Sequence, residues 1–256
     1  MQTGAITPYI DVAQLTLYAF WIFFAGLVIY LILESKREGF PLVTNRPGER
    51  LDGILPMPAP KTFLLHGGGT VTVPQVEPPD TMNARQVEGF EGAAYAPLGN
   101  PMHDAIGPAS YTLRRNVPEQ TYHGTNRTVP IRVDPEYSVA DGDPDPRGMN
   151  VITLDGLVAG VASDIWVDRA NIQARWLEVA VPGQLRGVVV PWELTRVIVT
   201  PRGGTVQVAS VTAAQLAEAP LPASADEITA REEDQISAYF ASGYLYATPA
   251  RLGPLL

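Results

Sequence analysis

No cysteine occurs in the 256 residues, which excludes disulfides, thiolate metal sites, iron-sulfur clusters and a cysteine nucleophile, and suits a reducing compartment. Histidine is nearly as scarce: His66, His103 and His123 stand far apart and show no metal-ligand spacing. Basic residues are outnumbered, 18 against 27 acidic, for a formal charge of -9. A nucleic-acid partner, normally met by a basic patch, is therefore not expected. His66-Gly67-Gly68-Gly69-Thr70 lacks the Gly-Lys-Ser/Thr of a phosphate loop and reads as a turn. No nucleophile-base pair or nucleotide loop rises above chance, so a membrane-tethered enzyme is the weakest of the readings below.

Charge is also missing from one particular place. Between Asp11 and Glu34 there is no charged side chain and no proline, and Val12 to Leu33, VAQLTLYAFWIFFAGLVIYLIL, is long enough for a bilayer core of about 30 Å. It reads as one transmembrane helix. Residues 1–11 lack the basic leader of a cleaved signal peptide, and Glu34-Ser35-Lys36-Arg37-Glu38 follows directly, so the segment is expected to stay in the mature protein. Lys36 and Arg37, against no cation before the helix, place the longer C-terminal part in the cytoplasm. The same two side chains fall where lipid phosphates lie and are candidates for headgroup binding, although topology alone explains them equally. One span without an intramembrane charge cannot form a channel alone; it is an anchor, or one helix of a larger assembly.

Roughly 220 residues follow the helix, enough for one ordinary domain plus connecting chain. Residues 34–111 are rich in proline and glycine: prolines at 41, 47, 56, 58, 60, 74, 78 and 79 forbid a long helix or a central strand, leaving extended chain with brief strands such as Thr70 to Val73. Leu51, Ile54, Leu55, Phe63, Leu64, Leu65, Phe90 and Tyr95 are of little use to a solvated linker and suggest chain laid over a partner. From 112 to 256 the pattern is that of a β-domain. Predicted strands are Pro130 to Val133, Asn150 to Leu154, Val158 to Val167, Arg175 to Val181, Leu185 to Val190, Arg196 to Thr200 and Thr205 to Ser210. Asp155-Gly156, Pro182-Gly183 and Pro201-Arg202-Gly203-Gly204 supply turns. Thr229-Ala230-Arg231-Glu232 is a capping box, and Ile236, Tyr239 and Phe240 share one face of a predicted helix of about ten residues. The fold class is one N-terminal transmembrane helix followed by a mainly β domain, a small antiparallel barrel, with a short C-terminal helix.

Several stretches, taken in order, resemble one family. They are Lys36-Arg37-Glu38-Gly39-Phe40-Pro41-Leu42, Pro60-Lys61-Thr62-Phe63, Thr70-Val71-Thr72-Val73-Pro74, Gly99-Asn100-Pro101-Met102, Gly107-Pro108-Ala109-Ser110-Tyr111, Asp145-Pro146-Arg147-Gly148, Asp164-Ile165-Trp166-Val167-Asp168, Arg231-Glu232-Glu233-Asp234 and Gly243-Tyr244-Leu245-Tyr246-Ala247. Each motif is weak alone, but their number and order resemble the H subunit of the photosynthetic reaction centre of purple bacteria. The resemblance implies a single helix beside the L and M subunits, with a periplasmic N-terminus at 1–11. It also implies a cytoplasmic PRC-type barrel capping their quinone-binding face, in the bacterial inner (intracytoplasmic) membrane. It implies a non-catalytic chain that binds no cofactor itself. The complex would hold bacteriochlorophyll, bacteriopheophytin, quinones and non-haem iron on L and M. Partners are L, M and membrane lipids, with a light-harvesting antenna ring left open. The rival reading is a membrane-anchored PRC-barrel adaptor unrelated to electron transfer, which predicts the same topology and differs in what co-purifies.

Quinone reduction in a buried pocket needs protons, and the resemblance points to Asp168, Arg175, His123 and His66 as relay candidates. Asp168 ends one predicted strand and Arg175 begins the next, so a hairpin is expected to hold both at one mouth. A surface ion pair worth under about 1 kcal/mol is the plain alternative. His123 is of a type suited to gathering protons, and His66 is better explained as a turn residue. Asn171 stands where a well-known relative has a carboxylate, and Thr121 and Thr125 stand where it has an acid and a second histidine. Asp168 is then expected to be the main acid left on this chain. Glu232, Glu233 and Asp234 read as first-turn residues favoured by the helix dipole.

Overall fold

An apolar run without proline can satisfy its own backbone only as a helix, and α1 spans Val12–Ser35 in the computed structural model. The structure describes residues 4–7, 9–40, 42–43, 50–51, 53–74, 82–90, 92–201 and 203–252; Pro41, Pro47, Pro78, Pro79 and Arg202 lie outside them. Asp11 caps the helix, its carboxylate accepting the Gln14 N–H at 2.7 Å. The 24 residues are about 36 Å long at 1.5 Å each, and none is buried. The helix is thus long and apolar enough to cross a bilayer.

The chain divides into two units, Met1–Asp80 and Thr81–Leu256. In the first, the end of α1 is tied to the chain that follows. Arg37 donates to Glu34 at 3.0 and 3.1 Å, and Lys61 reaches the same carboxylate at 3.3 Å. Lys61 opens β1 (Lys61–Leu64), antiparallel to β2 (Thr70–Val73). Their turn needs residues free of a Cβ: Gly68 and Gly69 have φ of +84° and +87°. Two further pairs, Ala5–Thr7 with Ile10–Asp11 and Leu42–Val43 with Arg50–Leu51, are very short.

In the second unit, β3 (Ala84–Gln86) and β4 (Tyr95–Pro97) form a hairpin ahead of irregular chain. The sheet that follows contains β5 (Thr128–Pro130), β6 (Asn150–Thr153), β7 (Val158–Asp168), β8 (Gln173–Ala180), β9 (Val188–Pro191), β10 (Thr195–Thr200) and β11 (Gly203–Val208). Its order is β9-β8-β7-β6-β11-β10, antiparallel except for the β6–β11 pair. The pairing of the eleven-residue β7 with β8 slips in register between Ala162 and Asp164 and between Trp166 and Val167. Its first half pairs with β6 and its last three residues with β5.

The structure departs from the sequence expectations at several elements. The strand expected at Pro130 to Val133 ends at Pro130 and continues as a 3-10 turn, because the Arg132 N–H is taken by the Asp164 carboxylate at 3.2 Å instead of a ladder partner. The C-terminal helix α3 runs Ala230–Tyr246, 17 residues rather than about ten. Its apolar face continues past Phe240 to Gly243, which lies so close to the Ser210 carbonyl that a Cβ there would sit 2.3 Å from the oxygen. A five-residue helix, α2 (Ala213–Ala217), was too short to show a period; Thr212 and Gln215 form its capping box.

The core lies between the sheet and α3. Trp166, Trp176, Leu177, Val179, Val188, Val190 and Val206 from the strands meet Leu216, Ile228, Ile236 and Phe240. α3 packs on β9 and on the 3-10 turn Gly107–Ala109.

Candidate functional site

β7 is apolar apart from a few polar positions, yet Asp164 and Asp168 on it are both buried. A carboxylate taken out of water must find charge or several donors. Asp168, 1% exposed, finds both. The antiparallel pairing of β5 with the end of β7 sets Thr128 opposite Asp168 and brings Arg127, one residue earlier, alongside. The guanidinium grips the carboxylate through Nε at 3.0 and 3.1 Å and Nη2 at 2.7 Å. The Ala170 and Asn171 N–H groups add bonds at 2.9 and 3.2 Å, and the Asn171 amide donates at 3.0 Å. Burial pushes this carboxyl up, but Arg127 and the two backbone donors outweigh it and hold Asp168 below the usual carboxylate range.

From Arg127 a chain of ion pairs leads to the start of α3. Arg127 Nη1 donates to Glu119 at 3.0 Å, Glu119 accepts from Arg114, and Arg114 reaches Asp234 at 3.2 Å. Arg231 donates to the Arg114 carbonyl at 2.9 Å. Beside this chain lies Glu233, 7% exposed and bonded to Thr128. Burial pushes its carboxyl up; the Thr128 bond and the charge of Arg175 pull it back without prevailing.

A second group surrounds Arg132, which bonds Asp164 at 3.0 Å, Glu178 at 2.7 Å and Asp226 at 3.2 Å, while Trp166 Nε1 donates to Glu178 at 2.8 Å. It ties the 3-10 turn after β5 to β7 and β8.

The expected pairing of Asp168 with Arg175 is not formed. Asp168 faces Gln173 across the hairpin, and Arg175 is the extra residue where the register slips between Trp166 and Val167. Arg127 holds the place expected for Arg175. His123 lies exposed at the tip of the turn closed by Thr121 and Thr125, whose hydroxyls are 2.8 Å apart, with its ring edge-on to Tyr122 at 5.5 Å. The two threonines thus close a turn. His103 rests against Tyr239 at 5.1 Å, with Nε2 3.8 Å from Glu218. His66 belongs to the first unit and sits exposed in the β1–β2 turn. In that unit Lys36 donates to the Leu55 carbonyl and stands 5.5 Å from the Phe40 ring, and Arg37 donates to the Ala59 carbonyl. Both lipid candidates are engaged by their own chain.

Residues 4–133 match the family model described as photosynthetic reaction centre, H-chain N-terminal region, and residues 140–215 match the PRC-barrel domain. The chain belongs to the reaction-centre H-subunit family. It is a membrane-anchored subunit of an electron-transfer complex and associates with other reaction-centre subunits. In this H chain Arg114, Glu119 and Arg127 fall in the first matched region and Asp168 in the second, while Glu233 lies beyond both. Arg127, Glu119, Arg114 and Glu233 escaped sequence reasoning. A usable signal existed for Glu233, which stands three residues before Ile236 and seven before Phe240, on the buried face of α3.

Proposed function

We propose that this H subunit stabilises the L and M subunits, caps their quinone-binding face and assists proton delivery to the secondary quinone. The observation that carries the reading is the buried Asp168 carboxylate. It is kept ionised by Arg127 and set at the end of the sheet where the 169–172 turn and the His123 turn both project. Reducing a quinone to quinol takes up two electrons and two protons, and the protons must cross from water into a site that excludes it. A fixed negative charge lowers the energy of a proton moving on nearby water. Because its carboxyl is held below the usual range, Asp168 acts as that charge and does not itself carry the proton. His123 is suited to collecting protons at the exposed end, Arg175 to balancing charge near Glu233, and His66 to a local role in its turn. In this proposal the pigments, quinones and non-haem iron belong to L and M, and the residues of this chain handle protons only. The N-terminus lies in the periplasm and the barrel in the cytoplasm of the bacterial inner membrane, as Lys36 and Arg37 at the end of α1 favour.

The test is the rate of proton uptake after the second flash in a complete complex carrying Asp168→Asn, from about pH 6 to about pH 9. A unit charge acting over about 12 Å at an effective dielectric of about 20 is worth about 1.4 kcal/mol, so a roughly tenfold slowing is expected. An unchanged rate across that range would overturn the assignment.

A further inference from the structure

The chain that follows α1 is laced to the end of that helix at three points. Lys36 donates to the Leu55 carbonyl, Arg37 to the Ala59 carbonyl, and Lys61 meets the Glu34 carboxylate at 3.3 Å. The helix is about 36 Å long against a hydrocarbon core of about 30 Å, so its end lies where the core gives way to lipid headgroups. Residues 55–61 are held at that level. Lys61 then opens β1, and Leu65, four residues further, is within about 13 Å of the Lys61–Glu34 contact.

The side chains carried to this place are apolar and exposed. The β1–β2 register sets Phe63 opposite Val71 and Lys61 opposite Val73, all on one face, with the Lys61 ammonium 5.7 Å from the Phe63 ring. On the other face the Thr62 and Thr72 hydroxyls bond one another at 2.8 Å. Leu64, 86% exposed, and Leu65 stand at the turn, and Phe63 is exposed as well. A two-stranded hairpin is marginal in water by itself, and exposed leucines at its tip add nothing to its stability there. Residues 53–76 contain none of the 27 acidic side chains, so nothing in the hairpin is repelled by anionic headgroups.

We propose that the β1–β2 hairpin is a second membrane contact beside α1, with Phe63, Leu64 and Leu65 seated at the boundary between headgroups and acyl chains of an anionic phospholipid surface. The inference rests on the membrane anchor alone and goes beyond the proton-delivery reading. The hairpin suits that depth because its backbone groups are paired between strands and its apolar tip is removed from water, while Lys61 stays at the base beside Glu34. Anchor and hairpin together fix the rotation of α1 about its axis, which a single smooth helix leaves free.

The absence of cysteine makes the test direct, since Leu64→Cys or Leu65→Cys gives the chain one attachment point for a nitroxide. Each labelled full-length chain is placed in nanodiscs of phosphatidylcholine and phosphatidylglycerol, and the same variants are prepared as the complete complex in the same lipid. The identically treated unmodified complex supplies the background from other subunits. Power saturation then compares collisions with oxygen, which partitions into lipid, and with a nickel chelate, which stays in water. The expected result is an oxygen-to-chelate collision ratio severalfold higher at both positions than for the free label in buffer, in the chain and in the complex. A ratio equal to that of the free label would place the hairpin in water and overturn the proposal. Few collisions with either reagent in the complex would mean that another subunit covers the tip, and would overturn it equally.

Discussion

Replacing Arg127 by alanine tests the electrostatic centre of the barrel. The substitution removes three contacts of 2.7 to 3.1 Å to a carboxylate that is 1% exposed. Breaking a buried pair from one side costs about 3–5 kcal/mol. Asp168 keeps the Ala170 and Asn171 N–H groups and the Asn171 amide, and water can enter where the half-buried arginine stood, so a loss of about 2–3 kcal/mol is expected at pH 7. The pH dependence follows from sign. In the native chain the Asp168 carboxyl is held below its unfolded value of about 4, so its stabilisation is complete above that value and is lost as pH falls through the folded one. Without Arg127 the effect of burial is less opposed and the carboxyl moves up, so the native and variant stabilities converge on acidification. Thermal unfolding of the full-length chain in detergent micelles, followed by near-ultraviolet circular dichroism of the buried Trp166 and Trp176, should show a melting point lower by roughly 5–10 °C at pH 7. That gap should narrow steadily toward pH 3. A gap of the same size at both pH values would mean that Arg127 acts through packing, and the charge argument would fail.

Other outcomes follow from single positions. Glu233→Gln should raise stability: its carboxyl lies above the ordinary range, so the cost of ionising it appears as pH rises past about 4.5, and the gain over the native chain should be larger at pH 8 than at pH 4. A gain independent of pH would contradict this. Gly243→Ala should cost about 1–3 kcal/mol by urea unfolding, because the added carbon would meet the Ser210 carbonyl at 2.3 Å and force α3 outward; an unchanged midpoint would show that the helix can yield freely. Ile172, with φ of +54° and 76% exposed, is a β-branched residue in the left-handed region, and Ile172→Asn should raise stability by about 0.5–1 kcal/mol in the same assay. A fall would indicate that the isoleucine packs usefully.

The anchor was legible because it depends on a local absence: no charge and no proline from Val12 to Leu33. The strands were legible for a similar reason. Leu177, Val179 and Val181 alternate and are all buried, and Gly156 and Gly183 stand at the predicted turns with positive φ. The partners of Asp168 were not legible. Arg127 lies 41 positions away and reaches it only through the β5–β7 register, which no local pattern encodes. Arg175 was the nearer choice along the chain, and one slipped residue in β8 sends it elsewhere. The reading of Glu233 as a first-turn acid used the local dipole and ignored the spacing to Ile236 and Phe240, which already placed it on the inner face of α3.

On the function proposed, this chain serves a light-driven, proton-consuming complex. The most direct measurement is to purify that complex from native membranes through a tag on this chain, after mild detergent extraction. Its near-infrared spectrum and proton uptake are then recorded under flashes. Bacteriochlorophyll and bacteriopheophytin bands that bleach in light are expected, with proton uptake accompanying quinone reduction. An intact but colourless preparation, with no uptake, would contradict it and favour a PRC-barrel adaptor with other partners.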